Sequence, residues 1–132
     1  MITEVEAYHG QEDKASHARH GKTERNAPMF GMPGYWYVYM IYGMYYMLNI
    51  VTWPGISPSA ILIRWVQGFP GPGKLTKNLW IDKHFNGKLA DEKTGLWIED
   101  GGIKIPKIQA APRIGIDYAS DEWKHKHWRF FI

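Results

Sequence analysis

A chain of 132 residues with a formal net charge of +3 is one domain's worth of polypeptide, long enough to bury roughly two-thirds of its unfolded surface. Without a cysteine it excludes a disulfide framework, a thiolate zinc site and a cysteine nucleophile, and any metal would have to be held by His, Asp or Glu. The small positive excess is compatible with a polyanionic partner and does not require one.

Ile2, Glu4, Glu6 and Tyr8 alternate with Thr3, Val5 and Ala7, a period-two pattern that predicts a short strand with Glu6 and Tyr8 on the same face. The opening residues Met1-Ile2-Thr3-Glu4 lack the basic region and apolar core of a signal peptide, so no export and a cytoplasmic location are expected. After His9-Gly10, the segment from Gln11 to Arg19 is acidic at its start and basic at its end, as a short helix prefers, and it would bring His17 near the face of Glu6. His20 to Gly34 reads as a loop.

Tyr35 to Val51 holds six of the eight tyrosines, and no Asp, Glu, Lys or Arg occurs in the 38 residues between Arg25 and Arg64. Two aromatic and β-branched runs flank Tyr42-Gly43, which predicts a hairpin with a two-residue loop and an exposed Tyr42. Tyr37, Tyr39 and Ile41 would then share one face, and Trp36, Val38 and Met40 the other. The tyrosine density and central glycine suit paired strands better than a membrane-spanning helix.

Trp53 to Pro58 reads as a turn, and Ala60 to Val66 as a strand. Within it Arg64 stands at the end of an apolar run, where a guanidinium needs a carboxylate, phosphate or base. Gly68-Phe69-Pro70-Gly71-Pro72-Gly73-Lys74 looks like a phosphate loop, but Leu75 stands where a Ser or Thr must reach magnesium and two prolines remove backbone donors. Nucleotide hydrolysis is therefore excluded, and Lys74, near the start of a short helix to Trp80, is retained as a candidate phosphate contact. The segments around Trp97-Glu99, Ile103-Ile105, Arg113-Ile116 and Trp128-Ile132 read as further strands or edges. The fold class is α+β: a single domain with a mainly antiparallel curved sheet, short helices, a protruding hairpin and a core supplied in large part by seven tryptophans.

Three groups could carry chemistry. Glu6, beside Tyr8, could deprotonate a water, although a solvated strand glutamate fits the same spacing. Tyr8, Tyr39 and His17 could form a stacking box for a planar ring, or simply pack in the core. Tyr42 could act as a wedge in a base stack, or be an exposed turn residue without a role. The pairs His17/His20 and His125/His127 lack a third ligand, so no metal or other cofactor is expected.

Taken together, Glu6-Ala7-Tyr8, Ala15-Ser16-His17-Ala18-Arg19, Tyr37 to Tyr45, Leu48-Asn49, Ile61 to Arg64, Gly71 to Lys77, Arg113 to Asp117 and Trp128-Arg129-Phe130 resemble, in order and spacing, the alkyladenine (methylpurine, 3-methyladenine) DNA glycosylases. The resemblance implies a monofunctional, metal-free hydrolase that acts as a monomer and excises alkylated or deaminated purines from double-stranded DNA. In a prokaryote it would be nucleoid-associated. It also implies roles. Glu6 would be the general base with Arg64 beside it, and Tyr8, His17, Tyr39 and Asn49 would hold the flipped base. Tyr42 would intercalate, and Lys74, Arg19 and Met44 would contact the DNA backbone. Three departures stand out: the family's N-terminal section has no counterpart before Ile2, a stretch is missing between Val66 and Gly71, and His127 stands where a proline often precedes Trp-Arg-Phe. The alternatives are a catalytically weak or inactive module that binds damaged DNA, and an aromatic-faced sheet that binds glycans or a protein partner.

Overall fold

The structure is a computed structural model that describes residues 1–53 and 57–132. Its strands are β1 (Ile2–His9), β2 (Trp36–Ile41), β3 (Tyr45–Trp53), β4 (Ser59–Val66), β5 (Gln109–Ala111) and β6 (Arg129–Phe131). They form one six-stranded sheet in the order β2-β3-β4-β1-β6-β5, antiparallel at every pairing. Among the described residues, two short helices, α1 (Pro72–Asn78) and α2 (Asp121–Lys124), and four single 3₁₀ turns complete an α+β architecture. No helix among the described residues is long and apolar enough to cross a membrane.

Alternation along the strands divides the sheet into two unlike faces. Register sets Glu6 opposite Leu62, Leu62 opposite Asn49, and Asn49 opposite Tyr37, so these four residues share one face with Tyr8, Ala60 and Tyr39. On the other face Trp36, Val38, Leu48 and Ile63 form the main apolar core, closed by Leu75 of α1 and Ile81. One side of each central strand is thus hydrocarbon and the other is polar and aromatic.

Several expectations are corrected. The hairpin loop has three residues, Tyr42 to Met44, because Ile41 pairs with Tyr45. Tyr42 and Gly43 both take positive φ, +51° and +67°, and the Met44 N–H donates to the Ile41 carbonyl at 3.2 Å. The predicted faces survive, since the extra residue lies in the turn. Residues 11–19 form turns and then one 3₁₀ turn, His17–His20, capped by the Ser16 side chain. Asp13 uses its carboxylate oxygens on the N–H groups of His9 and Ala15, and this competes with a regular helix.

Trp97–Glu99, Ile103–Ile105 and Arg113–Ile116 are not strands. The first two lie across the apolar face, where Leu96, Trp97, Ile98, Ile103 and Ile105 line a cavity with Trp36, Leu48 and Ile63. Their apolar side chains cover a sheet instead of extending it. Of the seven tryptophans only Trp36 and Trp123 are buried, whereas Trp53, Trp65, Trp80 and Trp97 are exposed. The predicted turn at Trp53 to Pro58 includes residues 54–56, which lie outside the described residues. Between β4 and α1 the chain closes tightly, with the Phe69 N–H donating to the Val66 carbonyl at 2.8 Å.

Candidate active site

On the polar face a cavity of about 350 Å³ opens between the hairpin, β1, β4 and the segment 114–118. That volume lies within the range of small-molecule pockets. Of the predicted site residues, Tyr8, His17, Tyr39, Tyr42, Asn49 and Arg64 line it.

Glu6 lies directly behind its wall and is completely buried, at 0% exposure. Isolated, a buried carboxylate would be costly, but this one is fully engaged. Oε1 accepts the Ile114 N–H at 2.7 Å and faces the Arg64 guanidinium at 3.3 Å, while Oε2 accepts the Tyr8 hydroxyl at 2.8 Å. The three partners all line the cavity. Since a carboxylate offers roughly four acceptor positions, these bonds leave about one for a water or substrate group.

Arg64 is shared. Its Nε donates to Glu4 Oε1 at 2.7 Å, and Glu4 Oε2 also lies 3.5 Å from Arg129 Nη1. Two carboxylates and two guanidiniums therefore alternate along the floor where β1, β4 and β6 meet. Behind this network Arg113 makes a bidentate ion pair with Asp13, at 2.6 and 2.9 Å, with both side chains buried. Its guanidinium lies between the Tyr8 ring, 4.7 Å away, and the Trp128 ring, 5.1 Å away. Fixing Arg113 fixes the next peptide, whose N–H points at Glu6.

The aromatic wall also has internal order. His17 meets Tyr39 edge-to-face with centroids 4.5 Å apart, Tyr37 lies 5.0 Å from Tyr39, and His17 Nδ1 is 2.9 Å from the Tyr37 hydroxyl. Burial, with Arg25 and Arg19 nearby, lowers the His17 pKa to about 4, so the ring is neutral near pH 7. Burial above all raises the hydroxyl pKa of Tyr8, Tyr37 and Tyr39, and Glu6 adds to the effect at Tyr8. All three remain protonated donors. Asn49 donates its side-chain NH₂ to the Tyr37 and Met47 carbonyls at 3.0 and 3.4 Å, and its Oδ1 has no partner among the described residues.

Met44, Lys74 and Arg19 lie outside the cavity, which Tyr42 lines from the hairpin tip. Tyr42 is 85% exposed at the hairpin tip with Met44 beside it, and Lys74 is exposed on α1. Arg19 lies over the ring of Tyr118, 4.9 Å from its centroid. Sequence reasoning missed the roles of Glu4, Asp13, Arg113 and Arg129. Asp13 sits in an ordinary charged run, Glu12-Asp13-Lys14, and nothing in that run distinguishes the buried carboxylate from its exposed neighbours. Glu4 had a usable signal, because it shares the alternating face with Glu6.

A family model described as methylpurine-DNA glycosylase matches residues 1–70 and 67–132, two segments that meet where β4 turns into α1. A relative in Ehrlichia ruminantium (strain Welgevonden) is 46% identical over 141 residues, covering 100% of this chain and 73% of its own length. One in Methanocella arvoryzae is 42% identical over 152 residues, covering 98% and 74%, and one in Sodalis glossinidius is 44% identical over 137 residues, covering 98% and 78%. All three bear the name 3-methyladenine DNA glycosylase as a provisional assignment.

Proposed function

The chain belongs to the methylpurine-DNA glycosylase family, and from that premise we propose that it is a monofunctional glycosylase that flips a damaged purine out of duplex DNA and hydrolyses its N-glycosidic bond. The observation that carries this reading is Glu6, an anchored carboxylate with one acceptor position left, at the wall of an aromatic cavity of about 350 Å³.

A base inside a duplex cannot be reached at C1′, so it must leave the stack, and Tyr42 on its projecting turn fills the gap. The extruded purine lies against Tyr8, His17 and Tyr39. Electron-rich rings favour an alkylated, cationic purine by about 1–2 kcal/mol, and a neutral His17 avoids repelling it. Glu6 takes a proton from water as the water oxygen bonds to C1′, and the electron pair of the N-glycosidic bond leaves with the purine. An alkylated purine departs neutral, whereas a deaminated one needs a proton as it leaves. The negative carboxylate also stabilises the positive character that develops on the sugar. Arg64 holds Glu6 in place, and Asn49 meets the edge of the base, where it disfavours the exocyclic amino group of guanine. Lys74, Arg19 and Met44 contact the DNA backbone. One chain carries the cavity, carboxylate and wedge, which supports a monomeric enzyme.

A second reading, a damaged-DNA-binding module that does not cleave, is favoured by the complete burial of Glu6. The deciding experiment incubates the protein with a duplex containing one hypoxanthine or ethenoadenine, followed by hot alkali and a denaturing gel. Strand breaks at the lesion that disappear with Glu6→Gln support the glycosylase. Tight lesion binding without breaks selects the binding module.

A further inference from the structure

Helix α1 ends in a Schellman arrangement: the Ile81 N–H donates to the Thr76 carbonyl at 2.8 Å and the Trp80 N–H to the Lys77 carbonyl at 3.4 Å. The residue between these bonds must take positive φ, and glycine is the usual occupant because it has no Cβ. Here it is Trp80, at φ +56°. A bulky side chain is disfavoured there, and this one recovers nothing by packing, since it is 88% exposed. The fold by itself would be better served by glycine.

The surroundings of Trp80 are equally specific. Its ring borders a groove of about 390 Å³, lined also by Met44, Tyr45 and Lys77, on the flank of the hairpin. Tyr42 lines the first cavity and Met44 this one, so the hairpin tip stands between the two. Residues 71–88 carry four lysines, Lys74, Lys77, Lys83 and Lys88, against the single acid Asp82. That excess, four minus one, equals the net +3 of the whole chain, so the remaining residues are balanced. Lys74, Lys77 and Lys83 form no salt bridge among the described residues. Asp82 also lines the groove, and its Oδ1 accepts the His84 N–H at 2.7 Å.

We propose that the groove between the hairpin and α1 is a second DNA subsite, in which Trp80 stacks on a base while Lys74 and Lys77, on the same side of the helix, bind phosphates of that strand. It rests on the glycosylase reading and extends it: the hairpin divides the duplex, with the damaged base in the first cavity and a flanking or unpaired base on Trp80. Positive charge interleaved with an exposed aromatic ring is the chemistry of single-strand recognition, and it tolerates any base because every base has a π-face.

The test is fluorescence anisotropy of a labelled duplex containing a tetrahydrofuran abasic analogue, with the wild-type protein, Trp80→Gly, Trp80→Phe and the double variant Lys74→Ala/Lys77→Ala. Trp80→Gly relieves the backbone conformation, so its Tm equals or exceeds that of the wild type while Kd rises about tenfold or more. Trp80→Phe keeps most of the affinity, and the double variant lowers the slope of log K against log salt by roughly 2. Duplex binding by wild type that Trp80→Gly leaves unchanged overturns the subsite alone. Failure of the wild-type protein to bind any duplex overturns the glycosylase reading and the subsite with it.

Discussion

The two faces of the central strands are built from alternate residues of the same segments, yet they obey different physics. The face of Trp36, Val38, Leu48 and Ile63 is hydrocarbon, and removing it from water drives the sheet together at about 25 cal/mol per Å². The opposite face buries Glu6, Asp13, Asn49 and Arg113, each of which costs free energy unless it is paired. Stability comes from the first face and is partly consumed by the second. A carboxylate held by a backbone N–H, a phenol and a guanidinium is the arrangement expected of a site shaped for chemistry.

If that division holds, its strongest break is chemical. Glu6→Gln should slow base release about 10²- to 10⁴-fold in single-turnover assays and retain cooperative unfolding. Equal rates for variant and parent would remove Glu6 from the mechanism. Asp13→Ala strands Arg113 in the interior, so urea unfolding should show a loss of about 3–5 kcal/mol, large enough to erase the expressed fold. A loss below 1 kcal/mol would mean that the pair is dispensable.

Leu48→Ala tests the other face. It should cost about 2–5 kcal/mol in the same unfolding assay, while base release per folded molecule stays at the parental rate. A drop in that rate would show that the faces are coupled. Gly73→Ala is smaller: a Cβ there would lie 2.7 Å from Tyr45 Cδ1, and moving the ring or α1 costs about 1–3 kcal/mol. An unchanged Tm would show that the hairpin yields freely.

The weakest effect expected is a slope with pH. The His17 pKa falls from its ordinary 6.5 to about 4 on folding, so between those values the unfolded chain binds a proton that the folded one does not. Its contribution to stability is complete above pH 6.5 and decreases as pH falls toward 4. Tm measured across that window should decline less steeply in His17→Phe than in the parent. Identical slopes would place the titration elsewhere.

The alternation of β1 and the hairpin faces around Tyr37 and Tyr39 were legible in the chain, because they follow from a period of two and from local turns; Asn49 and Arg64 were placed beside them only by the family resemblance. Tryptophan burial was not. Trp53, Trp65, Trp80 and Trp97 are as apolar as Trp36, and only what lies against each one decides its exposure. The charge total carried little meaning until its excess was located on α1 and the residues after it.

What the sequence by itself determined is the family pattern, the polar and apolar sides of each strand, and the residue types available for chemistry. Only the tertiary structure decided that Asp13 pairs with Arg113 across 100 residues, that the Ile114 N–H reaches Glu6 across 108, and that Glu4 shares Arg64. Alternation is written in neighbouring residues and can be read one strand at a time. A buried polar contact depends on which distant segment packing brings within 3 Å, and no local pattern encodes that.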